Sequence, residues 1–100
     1  MSGVPDDVVL YLERRERALD EARRLVASIA GLSGDPADID PDAGLFGNGL
    51  GLDSLDAVEI VVGLDIDLDI KLPVDDPIKL GIRSVNGIAD AIMRARGELT

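Results

Sequence analysis

The run Gly51-Leu-Asp-Ser-Leu-Asp56 sets one hydroxyl where a glycine-rich stretch gives way to a helical pattern. The simplest role for such residues is structural. Ser54 or Asp53 can act as the helix N-cap, its side-chain oxygen accepting a backbone N–H of the first turn. A chemical role follows from the same position. A serine there is exposed, and the neighbouring backbone N–H groups favour a phosphate, so Ser54 can carry a phosphate ester. It does not read as a hydrolase nucleophile, because the chain has no His to serve as base and no G-x-S-x-G elbow. The missing His also removes His-based triads and the commonest transition-metal ligand. The missing Cys removes disulfides, thiolate zinc sites and a Cys nucleophile.

The residues after Ser54 carry a second signal. Leu64 to Leu72 alternates strictly between apolar and charged residues, as a strand would. Read from Ser54, however, the same stretch is helical. Ala57, Ile60, Val61, Leu64 and Leu68 fall within roughly 100° of one another at helical spacing and form a core stripe. Leu55, Val58, Val62 and Ile66 form a second apolar arc that faces elsewhere. Asp56, Glu59, Asp65 and Asp69 surround that arc. An apolar strip rimmed by acids has the form of a docking surface. The alternative is a helix covered on two sides by the preceding loop, with Ile66 the first of the arc to be buried.

The remaining elements must position this helix. Residues 6–30 read as a long helix, with Asp6 and Asp7 suited to its positive end and Leu19, Ala22, Val26 and Ile29 as its core stripe. Val8 and Leu12 extend the stripe past Arg15. Glu13/Arg17 and Asp20/Arg24 are spaced as i,i+4 ion pairs on a solvated face. Gly31 and Gly34 end the helix. Residues 31–52 form a long loop, and Ile39, Leu45, Phe46, Leu50 and Leu52 are expected to pin it to the core. A loop of this length in a small domain is usually functional. The helix from Ser54 should fray near Asp69, before Ile70 and Leu72 return to the core. A short helical turn is expected over 73–83. Ser84 then caps a last helix with the stripe Val85, Ile88, Ala89 and Ile92, ended by Gly97.

The 100 residues suit one small domain, and twenty acids against ten bases give a net charge of -10. The charge is uneven: residues 1–34 carry -1, residues 35–76 carry -11 with Lys71 their one base, and residues 77–100 carry +2. That balance argues against nucleic acid and against an anionic membrane surface, and it suits a basic protein partner. No apolar run approaches the roughly 18 residues of a membrane span. The N-terminus lacks the basic-then-apolar pattern of a signal peptide, so a cytoplasmic protein is expected. The core has almost no rings, with Tyr11 and Phe46 the only aromatic residues.

Leu50-Gly-Leu-Asp-Ser-Leu-Asp-Ala-Val-Glu59 resembles the signature of acyl carrier proteins. The likeness runs from about Leu19 through the last helix: a helix, a long loop, the acidic helix, a Lys-Leu-Pro exit and a final short helix. It implies an all-α four-helix bundle with a long first loop and a short third helix. Residues 1–16 would be an N-terminal extension, helical and continuous with the first helix, and residues 17–100 the carrier domain. Ser54, flanked by Asp53 and Leu55 in the cofactor-binding motif, would bear 4'-phosphopantetheine, taken from coenzyme A by a phosphopantetheinyl transferase. Acyl groups would ride on its terminal thiol as thioesters, and the chain itself would do no catalysis. Leu55, Asp56, Val58, Glu59, Val62, Asp65 and Ile66 would meet basic patches on a ketosynthase, acyltransferase or acyl ligase. The carrier would be a freestanding monomer. The Leu/Ile/Val core would open to shelter an acyl chain, as in fatty-acid carriers. The run Leu45-Phe-Gly-Asn-Gly-Leu50 resembles carriers of secondary-metabolite or specialised lipid synthesis, and Ile66 stands where housekeeping carriers usually show an acid.

Two other functions compete. A binding module without covalent modification would share the fold, but Ser54 speaks against it. Calcium binding is suggested by D-x-D-x-D runs from Asp38 and from Asp65. Neither run has the Gly at position six and Glu at position twelve of an EF-hand loop: Ala43 and Gly49 stand there in one, Ile70 and Asp76 in the other. Loose divalent binding to the acidic helix is the milder form of that reading.

Overall fold

The computed structural model describes residues 5–72 and 82–98. They form three α-helices, α1 (Asp6–Ala30), α2 (Ser54–Leu68) and α3 (Val85–Ala95), and a 3-10 turn at Pro36–Asp38. Among the described residues the β-type pairing is confined to an isolated bridge between Phe46 and Leu52. The all-α expectation therefore holds, and the alternating stretch after Leu64 is helix up to Leu68. The short helix expected over 73–83 falls almost wholly on residues 73–81, outside the described residues. The described residues thus contain the three longer helices of the expected four.

The helix ends follow from local chemistry. α1 stops where Gly31 turns left-handed at φ 66°, which lets the Leu32 N–H reach the Ala27 carbonyl at 3.0 Å. α2 stops at Asp69, a non-glycine residue held at φ 56°. The Ile70 N–H then returns to the Leu64 carbonyl at 3.0 Å, and the Ile70 side chain enters the core. At the start of α3 the Ser84 hydroxyl accepts the Gly87 N–H at 3.1 Å. Its far end closes at Gly97, after which the Glu98 N–H reaches the Met93 carbonyl at 2.8 Å.

The core is aliphatic and lies between the helices. Ala18, Ala22 and Val26 of α1, Ile60 and Leu64 of α2, and Val85, Ile88 and Ile92 of α3 are fully buried, with Leu45 from the loop among them. At Gly63 of α2 a Cβ would sit 2.5 Å from Leu25 Cδ1, so α1 and α2 approach closely there. Beside this contact runs a groove of about 250 Å³, lined by Leu25, Ser28, Gly63 and Leu68 among others.

Two expectations about α1 are corrected. Val8 and Leu12 do not join the core stripe: every residue from Pro5 to Glu13 is exposed. The reason is length. At 1.5 Å per residue α1 spans about 37 Å and α3 about 16 Å, so the first turns of α1 run past the packed region. The i,i+4 pairs Glu13/Arg17 and Asp20/Arg24 are also not formed among the described residues. Instead Arg14 pairs with Glu98 at 3.3 Å, Arg15 with Asp90, and Asp20 with Arg23 at 3.7 Å. Glu21 takes the Arg96 guanidinium on both oxygens, at 2.7 and 2.9 Å. An exposed i,i+4 pair is worth only a few tenths of a kcal/mol, so little holds Glu13, Arg17 and Arg24 in a paired geometry, whereas the partners on or beyond α3 bond Arg15 and Glu21 more than once. The hydrogen bonds to Glu21 raise the Arg96 pKa above its usual value, against the opposing effect of burial.

Candidate functional site

Ser54 is delivered by the long loop, and the loop is held by backbone bonds. The Arg23 Nε donates to the Ile39 carbonyl at 3.2 Å, fixing the loop's first half to α1. The Leu45 N–H donates to the Arg83 carbonyl at 2.9 Å and anchors the second half beside α3. The Leu52 N–H donates back to the Leu45 carbonyl at 2.9 Å, closing a tight excursion through Phe46 and Leu50. Leu45 and Leu52 are buried, and Ile39, Phe46 and Leu50 pack against the core. The five apolar residues expected to pin the loop do so.

The excursion leaves no room at Gly49. A Cβ there would stand 1.8 Å from the Gly44 carbonyl oxygen, which accepts the Leu50 N–H at 3.0 Å. Only glycine permits this approach of two backbones.

At the helix start the choice between two caps is resolved. Asp53 is the N-cap, its Oδ1 accepting the Asp56 N–H at 3.0 Å. The Asp56 Oδ2 in turn accepts the Asp53 N–H at 3.0 Å, so the two acids form a reciprocal capping box. Ser54 is therefore the first helical residue. It is exposed, and among the described residues its hydroxyl has no hydrogen-bond partner. The N–H groups of Ser54 and Leu55 also lack an acceptor among the described residues. An exposed hydroxyl beside two unpaired N–H groups at the positive end of α2 fits a phosphodiester.

The apolar arc beyond the serine faces outward. Leu55 is 66% exposed, Val62 44% and Ile66 76%, with Val58 half-buried between them. The loop does not cover the arc, and Ile66, the residue expected to be buried first, is the most exposed of the four. The geometry explains this: the loop is tied to Arg23, Arg83 and the core, and so lies away from that side of α2. Glu59, Asp65 and Asp69 are exposed around the arc, and Asp56 is half-buried through its bond to Asp53. A shallow depression of about 140 Å³ lies beside Val62, between Val61, Asp65, Lys71 and Leu72.

The capping role of Asp56 went unread in the sequence, although an acid three residues after an Asp cap carries that signal. Among the described residues no group of three or more acidic side chains is placed to hold a metal ion. Among them, too, no helix is long and apolar enough to cross a membrane.

The model of the family described as "phosphopantetheine attachment site" matches residues 20–92, most of the chain. No solved structure matches.

Proposed function

The chain belongs to the phosphopantetheine-attachment family, that of the acyl carrier proteins, and we propose that Ser54 is the residue that carries the group. Members of this family bear 4'-phosphopantetheine, whose terminal thiol holds acyl groups as thioesters, and they act as carriers rather than catalysts. The observation that supports the assignment is the exposed hydroxyl of Ser54 on the first residue of α2, which like the two neighbouring backbone N–H groups has no hydrogen-bond partner among the described residues, and which lies inside the matched span. In modification the Ser54 oxygen attacks the pantetheine-side phosphorus of the coenzyme A pyrophosphate and gives up its proton, the P–O–P bond breaks, and adenosine 3',5'-bisphosphate leaves. Asp53 holds the helix start that presents Ser54, and Leu55 lies exposed next to it. Having no Cys, the chain has no competing thiol of its own.

Partner enzymes dock, in this reading, on Leu55, Val58, Val62 and Ile66 for apolar contact and on Asp56, Glu59 and Asp65 for charge. The exposure of that arc supports it. The partners would be a phosphopantetheinyl transferase and a ketosynthase, acyltransferase or acyl ligase with basic docking patches. The pathway would be fatty-acid, specialised lipid or polyketide-type synthesis. Residues 17–100 would form the carrier domain of a cytoplasmic monomer, with residues 1–16 as its extension. The ring-poor core would open to shelter an acyl chain, which shifts in the amide signals of core residues on acylation would report.

Intact mass after incubation with coenzyme A and a broad-specificity transferase tests the central assignment. The expected result is a gain of one phosphopantetheine group in the wild type and none in Ser54→Ala. A gain that survives Ser54→Ala, or none in the wild type, sinks it.

A further inference from the structure

Arg15 lies outside the span that matches the family, yet it makes the densest polar contacts of α1. It occupies a core-facing position of the helix, and its side chain is 17% exposed. A cation so placed needs partners. Its guanidinium donates to the Asp90 carboxylate, to Asn86 Oδ1 at 2.8 Å and to the Asn86 backbone carbonyl at 3.4 Å. Because a guanidinium only donates, it selects the oxygen end of the Asn86 amide. The Nδ2 end must then face away, and it donates to Asp42 of the long loop. The Asn86 backbone N–H also donates to the Pro41 carbonyl at 3.0 Å. Asn86 thus grips the loop at two consecutive residues, and Arg15 sets which way it grips. Beyond Asp42 the loop passes through the Leu45–Arg83 and Leu45–Leu52 bonds and reaches Ser54 two residues later.

We propose that Arg15, acting through Asn86, is a positioning residue for the loop that presents Ser54 to the modifying enzyme. The proposal rests on the assignment of Ser54, and it gives the N-terminal half of α1 a role that family membership does not. The Glu21–Arg96 pair supplies an internal control. It also ties α1 to the end of α3, but neither residue bonds to the loop.

The test compares the full-length wild type with Arg15→Met, Asn86→Ala and Glu21→Gln. Three quantities are read: melting temperature, hydrogen exchange of the Leu45 and Leu52 amides relative to Ile60, and KM and kcat for phosphopantetheinyl transfer from coenzyme A. If the loop spends only a tenth of its time in the presenting conformation, apparent affinity falls about tenfold. Arg15→Met and Asn86→Ala should therefore speed exchange of the two loop amides by about tenfold or more relative to Ile60, since exchange follows the open fraction. They should raise KM about tenfold with kcat within about twofold. Glu21→Gln should lower the melting temperature with neither change. Loop exchange that stays in step with Ile60 in Arg15→Met, or KM changes that Glu21→Gln reproduces, overturns the proposal. If Ser54→Ala still accepts the group, the attachment assignment fails, and the exchange data still judge the Arg15 clamp by themselves.

Discussion

At the scale of single residues, the start of α2 depends on two carboxylates that satisfy each other's backbone N–H groups. Asp53→Ala removes the cap and should cost about 1 kcal/mol in urea unfolding, while Asp53→Asn should cost only a few tenths, since the amide oxygen still accepts. Equal losses in the two variants would mean that the charge, not the hydrogen bond, matters. Ile66 offers the opposite case. With three quarters of its surface in water, Ile66→Asp should leave stability within about 0.5 kcal/mol. If the arc is the docking face, the same variant should raise KM for a partner enzyme, while acylation of free phosphopantetheine by that enzyme stays unchanged. The sequence left Ser54 and Asp53 open as caps because both residue types cap well. The question was resolved by Asp53 reaching the third residue of the helix and Asp56 reaching back.

At the scale of elements, two glycines make different demands. At Gly49 an added methyl meets backbone, which cannot swing aside, so Gly49→Ala should destabilise by about 1–3 kcal/mol. At Gly63 the methyl meets the tip of a flexible Leu25 side chain with a groove beside it. The gain in helix propensity of about 1 kcal/mol should offset that contact and leave Gly63→Ala within about 1 kcal/mol of the wild type. Thermal unfolding of the pair checks both, and a larger loss at Gly63 than at Gly49 would contradict the packing described. The helices themselves were legible. The stripes at Leu19–Val26, Ala57–Leu64 and Val85–Ile92 and the stops at Gly31, Asp69 and Gly97 all carry local signals. The loop's path was not legible, because Arg23, Arg83 and Asn86 fix it, and their partners are distant in sequence. The exposed turns at Val8 and Leu12 show a related limit. Periodicity says which face is apolar, but not whether anything packs on it. The pairs of Arg14, Arg15 and Glu21 with Glu98, Asp90 and Arg96 were not legible either, because those partners are distant in sequence.

At the scale of the whole molecule, charge dominates. A net -10, concentrated in the stretch that contains Ser54, repels itself in the compact state. Added salt screens that repulsion within about 10 Å at 0.1 M. The melting temperature should therefore rise between 10 mM and 500 mM NaCl, by more than in a variant with Asp65, Asp67 and Asp69 changed to Asn. Over the same range, association with a basic partner should slow, because steering weakens as the field is screened. A melting temperature that falls with salt would show that the ion pairs of α1 with Asp90, Arg96 and Glu98 outweigh the repulsion.

The overrun of α1 has a consequence of its own. Its turns before Arg14 place no residue in the core, so they contribute little to the cooperative unfolding unit that begins at the Arg14 and Arg15 contacts. Removing the residues before Glu13 should reduce helical ellipticity while leaving the urea midpoint and the m-value nearly unchanged, since m follows the surface exposed on unfolding. Ellipticity and cooperativity therefore count different lengths of the same helix.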